Sequence, residues 1–230
     1  MIDLYSWTTP NGYKVHIMLE ECELAYEAHP VNIGRGDQFA PEFLKISPNN
    51  RIPAIVDRDG PDGQSLAMCE SGAILIYLAE KSGRFLPPAG HMRHAALQWL
   101  MFQMSSIGPI FGQTYHYRND APTRIEYVIN RFEKEARRLY SVLDRRLGEA
   151  SYLAGEEYTI ADIATWPWTH SIEKQGHNPA DYPNVTRWHE QIAQRPAVQR
   201  GLQTLKHYGA TIMNERAHEV LFGETQYARR

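Results

Sequence analysis

An α/β domain followed by an all-α domain is the fold class this sequence predicts, and three observations carry it. Up to about residue 81, short apolar runs and amphipathic stretches alternate as βαβα and then ββα, which fits a small mixed sheet covered by helices. Ser82 to Gly90 (SGRFLPPAG), with two prolines and two glycines, then breaks the pattern as a domain linker does. Every periodic segment after it has a helical repeat.

The elements follow in order. Ile2 to Tyr5 is a first strand. Thr8, Thr9, Pro10, Asn11 and Gly12 form a polar corner leading into a helix, where Val15, Met18, Leu19 and Cys22 recur at helical spacing up to Glu23. Tyr26 to Ile33 is a second strand. Gly34 to Asp37 makes a polar turn, and Pro41 to Ile46 a short helix. Ser47 to Pro53 is loop chemistry before a third strand, Ala54 to Val56. The Asp, Gly and Pro residues of 57–63 mark a hairpin turn, Ser65 to Cys69 a fourth strand, and Ser71 the start of a helix holding Ile74, Leu75 and Leu78.

Beyond the linker, His91 to about Phe111 is rich in Leu, Met, Trp and Phe. Thr123 to Leu147 sets Val128, Phe132, Ala136, Leu139, Leu143 and Leu147 on one helical face, with its charges largely opposite. Tyr158 to Asp162 (YTIAD) is a helix-start signal. Thr159 caps the unpaired N–H groups, Asp162 reaches back, and Tyr158 and Ile163 form a staple. Pro183 and Pro196 each suit a first helical position. From His207 periodicity is weak, which predicts a tail that wraps the surface or is partly disordered. The domains drawn are 1–81, a linker 82–90, a helical domain 91–206, and a tail 207–230.

Composition excludes several function classes. The chain has 230 residues, 43% hydrophobic and 22% charged, and Lys plus Arg (24) against Asp plus Glu (27) leaves a formal charge of −3. That weak acidity, without a basic stripe, argues against nucleic acid as a partner. No basic-then-apolar start predicts a signal peptide, and no apolar run reaches the ~18 residues of a membrane span. The cytoplasm is the expected compartment. Cys22 and Cys69 are too few and too separated for a disulfide framework or a zinc site. His91 and His94 share a helix face but no carboxylate cluster completes a metal set, so no metal is expected.

The corner at Thr9 is where chemistry is expected. A helix N-terminus carries unpaired N–H groups and partial positive charge, which stabilise an anion or a thiolate. The corner has hydroxyls and an amide but no cysteine, histidine or carboxylate, so the reactive group must come on a ligand. Glu70 and Ser71 sit where the fourth strand meets a helix. A carboxylate and a helix-start hydroxyl there suit an ammonium and a carboxylate on one ligand. On spacing alone, an ordinary N-cap beside a solvated Glu is an equal reading.

The strings YSWTTPNG, FLKISPNNRIPAIVD, ESGAILIYLAEK and YTIADIATWPW, spread over about residues 1 to 206, resemble the glutathione transferase family, and most of all its bacterial nu-class disulfide-bond oxidoreductases. The resemblance implies a thioredoxin-like domain followed by a helical bundle, glutathione as co-substrate, and a homodimer. It implies sulfur contacts by Thr9 and Asn11 rather than by Tyr5, which belongs to the first strand. It assigns Glu70 and Ser71 to the γ-glutamyl end of glutathione, and a cis Ile52–Pro53 bond that exposes the Ile52 backbone to the cysteinyl unit. Taken alone, Pro53 reads as a trans proline at a strand's first residue, since cis is the minority form, ~5% of X–Pro bonds. Gln38 is assigned to the glycyl end of glutathione, Arg51 to a ligand carboxylate, and Arg131, set as in Y-x-x-x-R-[FY] with Tyr127 and Phe132, to the active site. Without the resemblance these three are surface polar groups.

Thiol–disulfide exchange brings three sulfurs into line, and the corner lacks the C-x-x-C pair that thioredoxin-type enzymes use. Cys22 reads as a core residue; Cys69, beside Glu70, is nearer but of a kind more often buried and inert. Both thiols then come from glutathione, as two molecules or the oxidised dimer, acting on a small disulfide or electrophile. The competing expectations are conjugation of electrophiles or peroxide reduction, and a non-catalytic binding module on the same fold. Tyr115, His116 and Tyr117 are candidates for a second-substrate pocket or for packing.

Overall fold

The computed structural model describes residues 1–228; Arg229 and Arg230, the end of the tail, lie outside the described residues. The chain divides into two compact units, 1–78 with 197–230, and 79–196.

The first unit is thioredoxin-like. Its sheet runs β2-β1-β3-β4, from β1 (Ile2–Ser6), β2 (Tyr26–Pro30), β3 (Ala54–Asp57) and β4 (Leu66–Cys69). β1 pairs in parallel with β2 (Leu4 opposite Ala28) and antiparallel with β3 (Leu4 opposite Ile55), and β3 pairs antiparallel with β4 (Ala54 opposite Cys69). The parallel pair needs a crossover, which is α1 (Pro10–Glu21). The short α2 (Pro41–Leu44) leads to β3, and α3 (Ser71–Ser82) leaves β4. Leu4 and Ile55 on the sheet, Val15, Met18 and Leu19 on α1, and Ile74, Leu75 and Leu78 on α3 are fully buried. Helix α1 begins at Pro10, because Thr9 caps it and proline suits the first turn, ahead of the apolar periodicity that starts near Lys14.

The second unit is all helix: α4 (Gly90–Phe102), a π-helical turn (Gln103–Ile107), α5 (Gly108–Asn119), α6 (Glu126–Glu149), α7 (Ile160–Thr169) and α8 (Pro183–Ala193). Its core holds Trp166, Trp188, Tyr140 and Phe111, with the Phe111 and Tyr140 rings stacked at 4.4 Å. The expected capping box is present: the Thr159 N–H donates to Asp162 Oδ2 at 3.0 Å and Thr159 Oγ1 accepts from Ala161. Asp162 does more than cap. Fully buried, it also accepts from the Leu153 N–H and from Trp188 Nε1, each at 2.9 Å.

The chain then returns to the first unit. In α9 (Pro196–Gln203) a Cβ added at Gly201 would stand 2.9 Å from the Ile17 backbone, so the two main chains meet where only glycine fits. Two further helices, α10 (Glu215–Phe222) and α11 (Glu224–Tyr227), give order where sequence periodicity was weak. Asn214 caps α10 by accepting from Ala217, and Ala217 and Val220 are its buried face.

Candidate functional site

The β1–α1 corner is built by two close constraints. A Cβ on Gly12 would lie 2.1 Å from the Trp7 carbonyl oxygen, so glycine alone lets the first turn of α1 close onto the end of β1. Thr9, extended at the N-cap, accepts from the Gly12 N–H through its Oγ1 at 3.1 Å. A hydroxyl that accepts keeps its own hydrogen to donate. Thr9 and Asn11 are both half-buried at this helix start, where the backbone dipole favours an anion. Tyr5 is in β1, as expected, stacked on His29 at 4.8 Å, and its phenol is pushed above the usual range by burial.

Beside this corner runs the loop into β3. The Ile52–Pro53 bond is cis. Ser47 ties the loop back by donating to the Arg51 carbonyl at 2.8 Å. Arg51 is exposed, and its Nη1 donates to Asn50 Oδ1 at 2.8 Å and to Gln226 Oε1 of α11 at 2.9 Å. Ile52 packs with Tyr5, Ile46 and Cys69 around Val31, Phe43 and Ala54. Gln38 is not a surface residue: it is 1% exposed, with Nε2 donating to the Ile33 carbonyl at 3.2 Å.

The β4–α3 junction supplies the third part. Glu70 is exposed and takes a left-handed backbone, φ 69°, and its carbonyl accepts from Ile74 as α3 begins. A non-glycine residue in this region is strained by about 1–3 kcal/mol, and such residues gather at functional sites. Ser71 is buried at the first position of α3. Lys14, which the sequence reading passed over, is 1% exposed on α1, and its Nζ donates to Ser71 Oγ at 3.3 Å. Burial lowers its pKa to about 7, and the Glu70 carboxylate opposes that shift. The signal was present: Lys14 stands one turn before Met18 on the apolar face of α1.

The first unit thus carries Thr9, Asn11, Gln38, Arg51, Ile52, Glu70 and Ser71. Arg131 belongs to the second unit, exposed on α6, where it helps hold Glu135 ionised. Tyr115, His116 and Tyr117 are in the second unit too; Tyr117 stacks on Phe132 at 5.6 Å and meets His116 edge-on. Cys22 is the C-cap of α1, the far end of a helix whose N-cap is Thr9, about 20 Å away at 1.5 Å per residue. Cys69 ends β4 in the cluster around Ala54. Among the described residues, Asp3, Glu27 and His29 form one group with metal-ligand spacing, and Arg58 already forks onto Asp3 with two bonds of 2.7 Å.

The tail touches both sides of the corner. Trp7 Nε1 donates to Thr211 Oγ1 at 2.9 Å and Thr8 Oγ1 to the Gly209 carbonyl at 3.1 Å. A Cβ on Gly34 would come 2.8 Å from Thr211 Cγ2 and 3.4 Å from Ala217 Cβ, so the same segment presses on the β2–α2 loop.

Residues 8–81 match the glutathione S-transferase N-terminal domain and residues 105–196 the glutathione S-transferase C-terminal domain. The chain is 51% identical over 203 residues to the disulfide-bond oxidoreductase YfcG of Escherichia coli (strain K12), covering 88% of this chain and 94% of that protein. A glutathione transferase family member from Pseudomonas fluorescens pf-5, crystallised with two glutathione bound, superposes with a TM-score of 0.84 at 50% identity, over 87% of this chain and 92% of that one. A glutathione transferase from Pseudomonas putida, with one glutathione disulfide bound per subunit, gives 0.84 at 47% identity, over 88% and 90%.

Proposed function

This chain belongs to the glutathione S-transferase family, and on that premise we propose that it reduces disulfides with glutathione, holding the glutathione sulfur at the start of α1 and using no cysteine of its own. The observation that carries the reading is the Thr9 hydroxyl. Its oxygen is taken by the Gly12 N–H, so its hydrogen is left for an acceptor outside the helix. A thiolate there gains this bond, the Asn11 amide and the positive end of α1.

The reaction then balances without a protein thiol. The thiolate of a first glutathione attacks one sulfur of the substrate disulfide. A mixed disulfide forms, the other substrate sulfur leaves as thiolate and takes a proton. The thiolate of a second glutathione attacks the mixed disulfide at the glutathione sulfur, giving oxidised glutathione and the second substrate thiol. The protein supplies alignment and thiolate stabilisation. Glu70 takes the ammonium of the γ-glutamyl end, while Ser71 and the first N–H groups of α3 take its carboxylate. The Ile52 backbone is assigned to the cysteinyl unit, and Gln38 and Arg51 to the remaining polar contacts. A glycyl carboxylate on Arg51 shares it with Gln226. The reading includes a homodimer in the cytoplasm, which sedimentation and cell fractionation test.

The deciding experiment runs two assays side by side, a small dialkyl disulfide with reduced glutathione and an aryl halide with reduced glutathione. Fast disulfide turnover, lowered in Thr9→Ala and kept in Thr9→Ser, is expected. Fast aryl conjugation with negligible disulfide turnover overturns the reading in favour of a conjugating transferase.

A further inference from the structure

Lys14 is a buried charged group of the first unit that the reaction above leaves unused. A lysine is almost never fully buried unless something answers its charge. Here the side chain runs inside the unit from α1 to the first residue of α3, where Nζ meets Ser71 Oγ at 3.3 Å. An ammonium has donors and no acceptor. Ser71 Oγ therefore accepts from it, and the Ser71 hydroxyl hydrogen is turned to another acceptor. A neutral amine lets that hydroxyl donate back to Lys14 instead.

We propose that Lys14 is a positioning residue for the γ-glutamyl end of glutathione: its ammonium fixes the Ser71 hydroxyl as a donor and sets a positive charge behind the carboxylate site, so that ligand binding draws a proton onto Lys14. The inference rests on the glutathione site proposed above and deepens it. Before ligand arrives, burial holds the Lys14 pKa near 7, and Glu70 is the charge that works against that shift. A ligand carboxylate beside Ser71 adds a second negative charge and raises it further. Other ionisable groups of α1 have contacts of their own. His16, on the same helix, is held neutral by burial with a pKa lowered to about 4, and it bonds Ser6 on β1 at 2.8 Å. Glu20 is bonded by Arg200 and Tyr26. Glu21, two turns along the face of α1, is about 10 Å away and acts on Arg200.

The test uses the full chain and S-methylglutathione, which has no thiol to titrate. Calorimetry at pH 7.5 in two buffers of different ionisation enthalpy should show net proton uptake by the wild-type protein, and none by Lys14→Met. Lys14→Met should weaken binding by about tenfold, the size of one hydrogen bond to a charged group. It should also erase the wild-type preference for S-methylglutathione over its analogue with the γ-glutamyl carboxylate made a carboxamide. Its melting temperature without ligand should not fall, since removing a buried charge for an apolar chain of similar length is neutral or stabilising. Equal binding and equal proton uptake in the two proteins overturn the inference while leaving the glutathione site standing. A melting temperature and affinity that fall together, with the carboxylate preference kept, assign Lys14 a structural role and overturn it too. A wild-type protein that binds no S-methylglutathione removes the site and the inference with it. If Lys14→Met does not fold, proton uptake by the wild type decides the matter alone.

Discussion

Trp7 Nε1 and Thr211 Oγ1 are 2.9 Å apart, so the indole that precedes the β1–α1 corner is held by a residue of the tail, 204 positions later. Trp7 is 2% exposed, and an indole N–H buried without a partner costs about 1–3 kcal/mol. Thr211→Val should therefore lower the melting temperature by several degrees, at about 2–4 °C per kcal/mol for a chain of this size. A melting curve that does not move rules out the tail as a support of the corner.

Glu70 separates function from fold. Its left-handed backbone, φ 69°, is one that glycine adopts without strain. Glu70→Gly should leave thermal stability unchanged or raise it by up to about 1 kcal/mol, and should weaken glutathione binding by about tenfold through loss of the carboxylate. Calorimetric affinity equal to wild type would withdraw Glu70 from the site.

The cysteines give a sharper chemical test. Cys22→Ser with Cys69→Ser should keep glutathione-dependent disulfide turnover, because Cys22 caps the far end of α1 and Cys69 lies in the cluster around Ala54. A drop in kcat/KM of more than about tenfold, with glutathione affinity intact, brings a protein thiol into the reaction.

Asp162 should set part of the pH dependence of stability. Burial raises its pKa from 3.8 to about 6, against the hydrogen bonds it accepts. The folded state holds this proton more tightly than the unfolded one, so its contribution is full below pH 3.8 and is lost as pH rises to about 6. The loss is about 3 kcal/mol at 1.36 kcal/mol per pH unit. Asp162→Asn lacks this dependence, which denaturation midpoints between pH 4 and 6 would reveal. It should also be less stable at every pH, because Oδ1 accepts from Leu153 and Trp188 and Oδ2 from Thr159, so an amide nitrogen at either place meets donors.

Gly12 should tolerate no side chain. The 2.1 Å approach to the Trp7 carbonyl is to backbone, which cannot rotate away. Gly12→Ala should cost about 1–3 kcal/mol as an overpacked site and reduce glutathione binding, because Thr9 loses its fixed partner. Wild-type stability in this variant refutes the close approach.

The sheet, α1, α3 and the YTIAD cap were legible because each has a local cause: alternation or helical spacing for the apolar residues, and a Thr–Asp pair for the cap. The corner at Thr9 stands out in the sequence as a candidate because its residue types leave the reactive atom unaccounted for. Gln38 was misread without the resemblance, since burial of a polar side chain on the Ile33 carbonyl depends on a neighbour, not on its own segment. Lys14 was passed over because a single charge on an apolar face reads as noise until Ser71, 57 positions on, is seen beside it. Order from Asn214 onward comes from tertiary support of a short apolar face, Ala217 and Val220, too short to give a periodic signal.

The meeting of Gly201 with the Ile17 backbone bears on how the protein is made. The first unit is split in sequence: residues 1–78 are synthesised ahead of 79–196, and α9 with the segment after it emerges only afterwards. The helical unit is continuous and is able to fold while synthesis proceeds. The first unit waits for α9, with the Ile17 side of α1 uncovered until then. During that interval a nascent chain has its sheet and its corner residues but not the helix that packs on Ile17, and transiently exposed apolar surface of this kind favours aggregation.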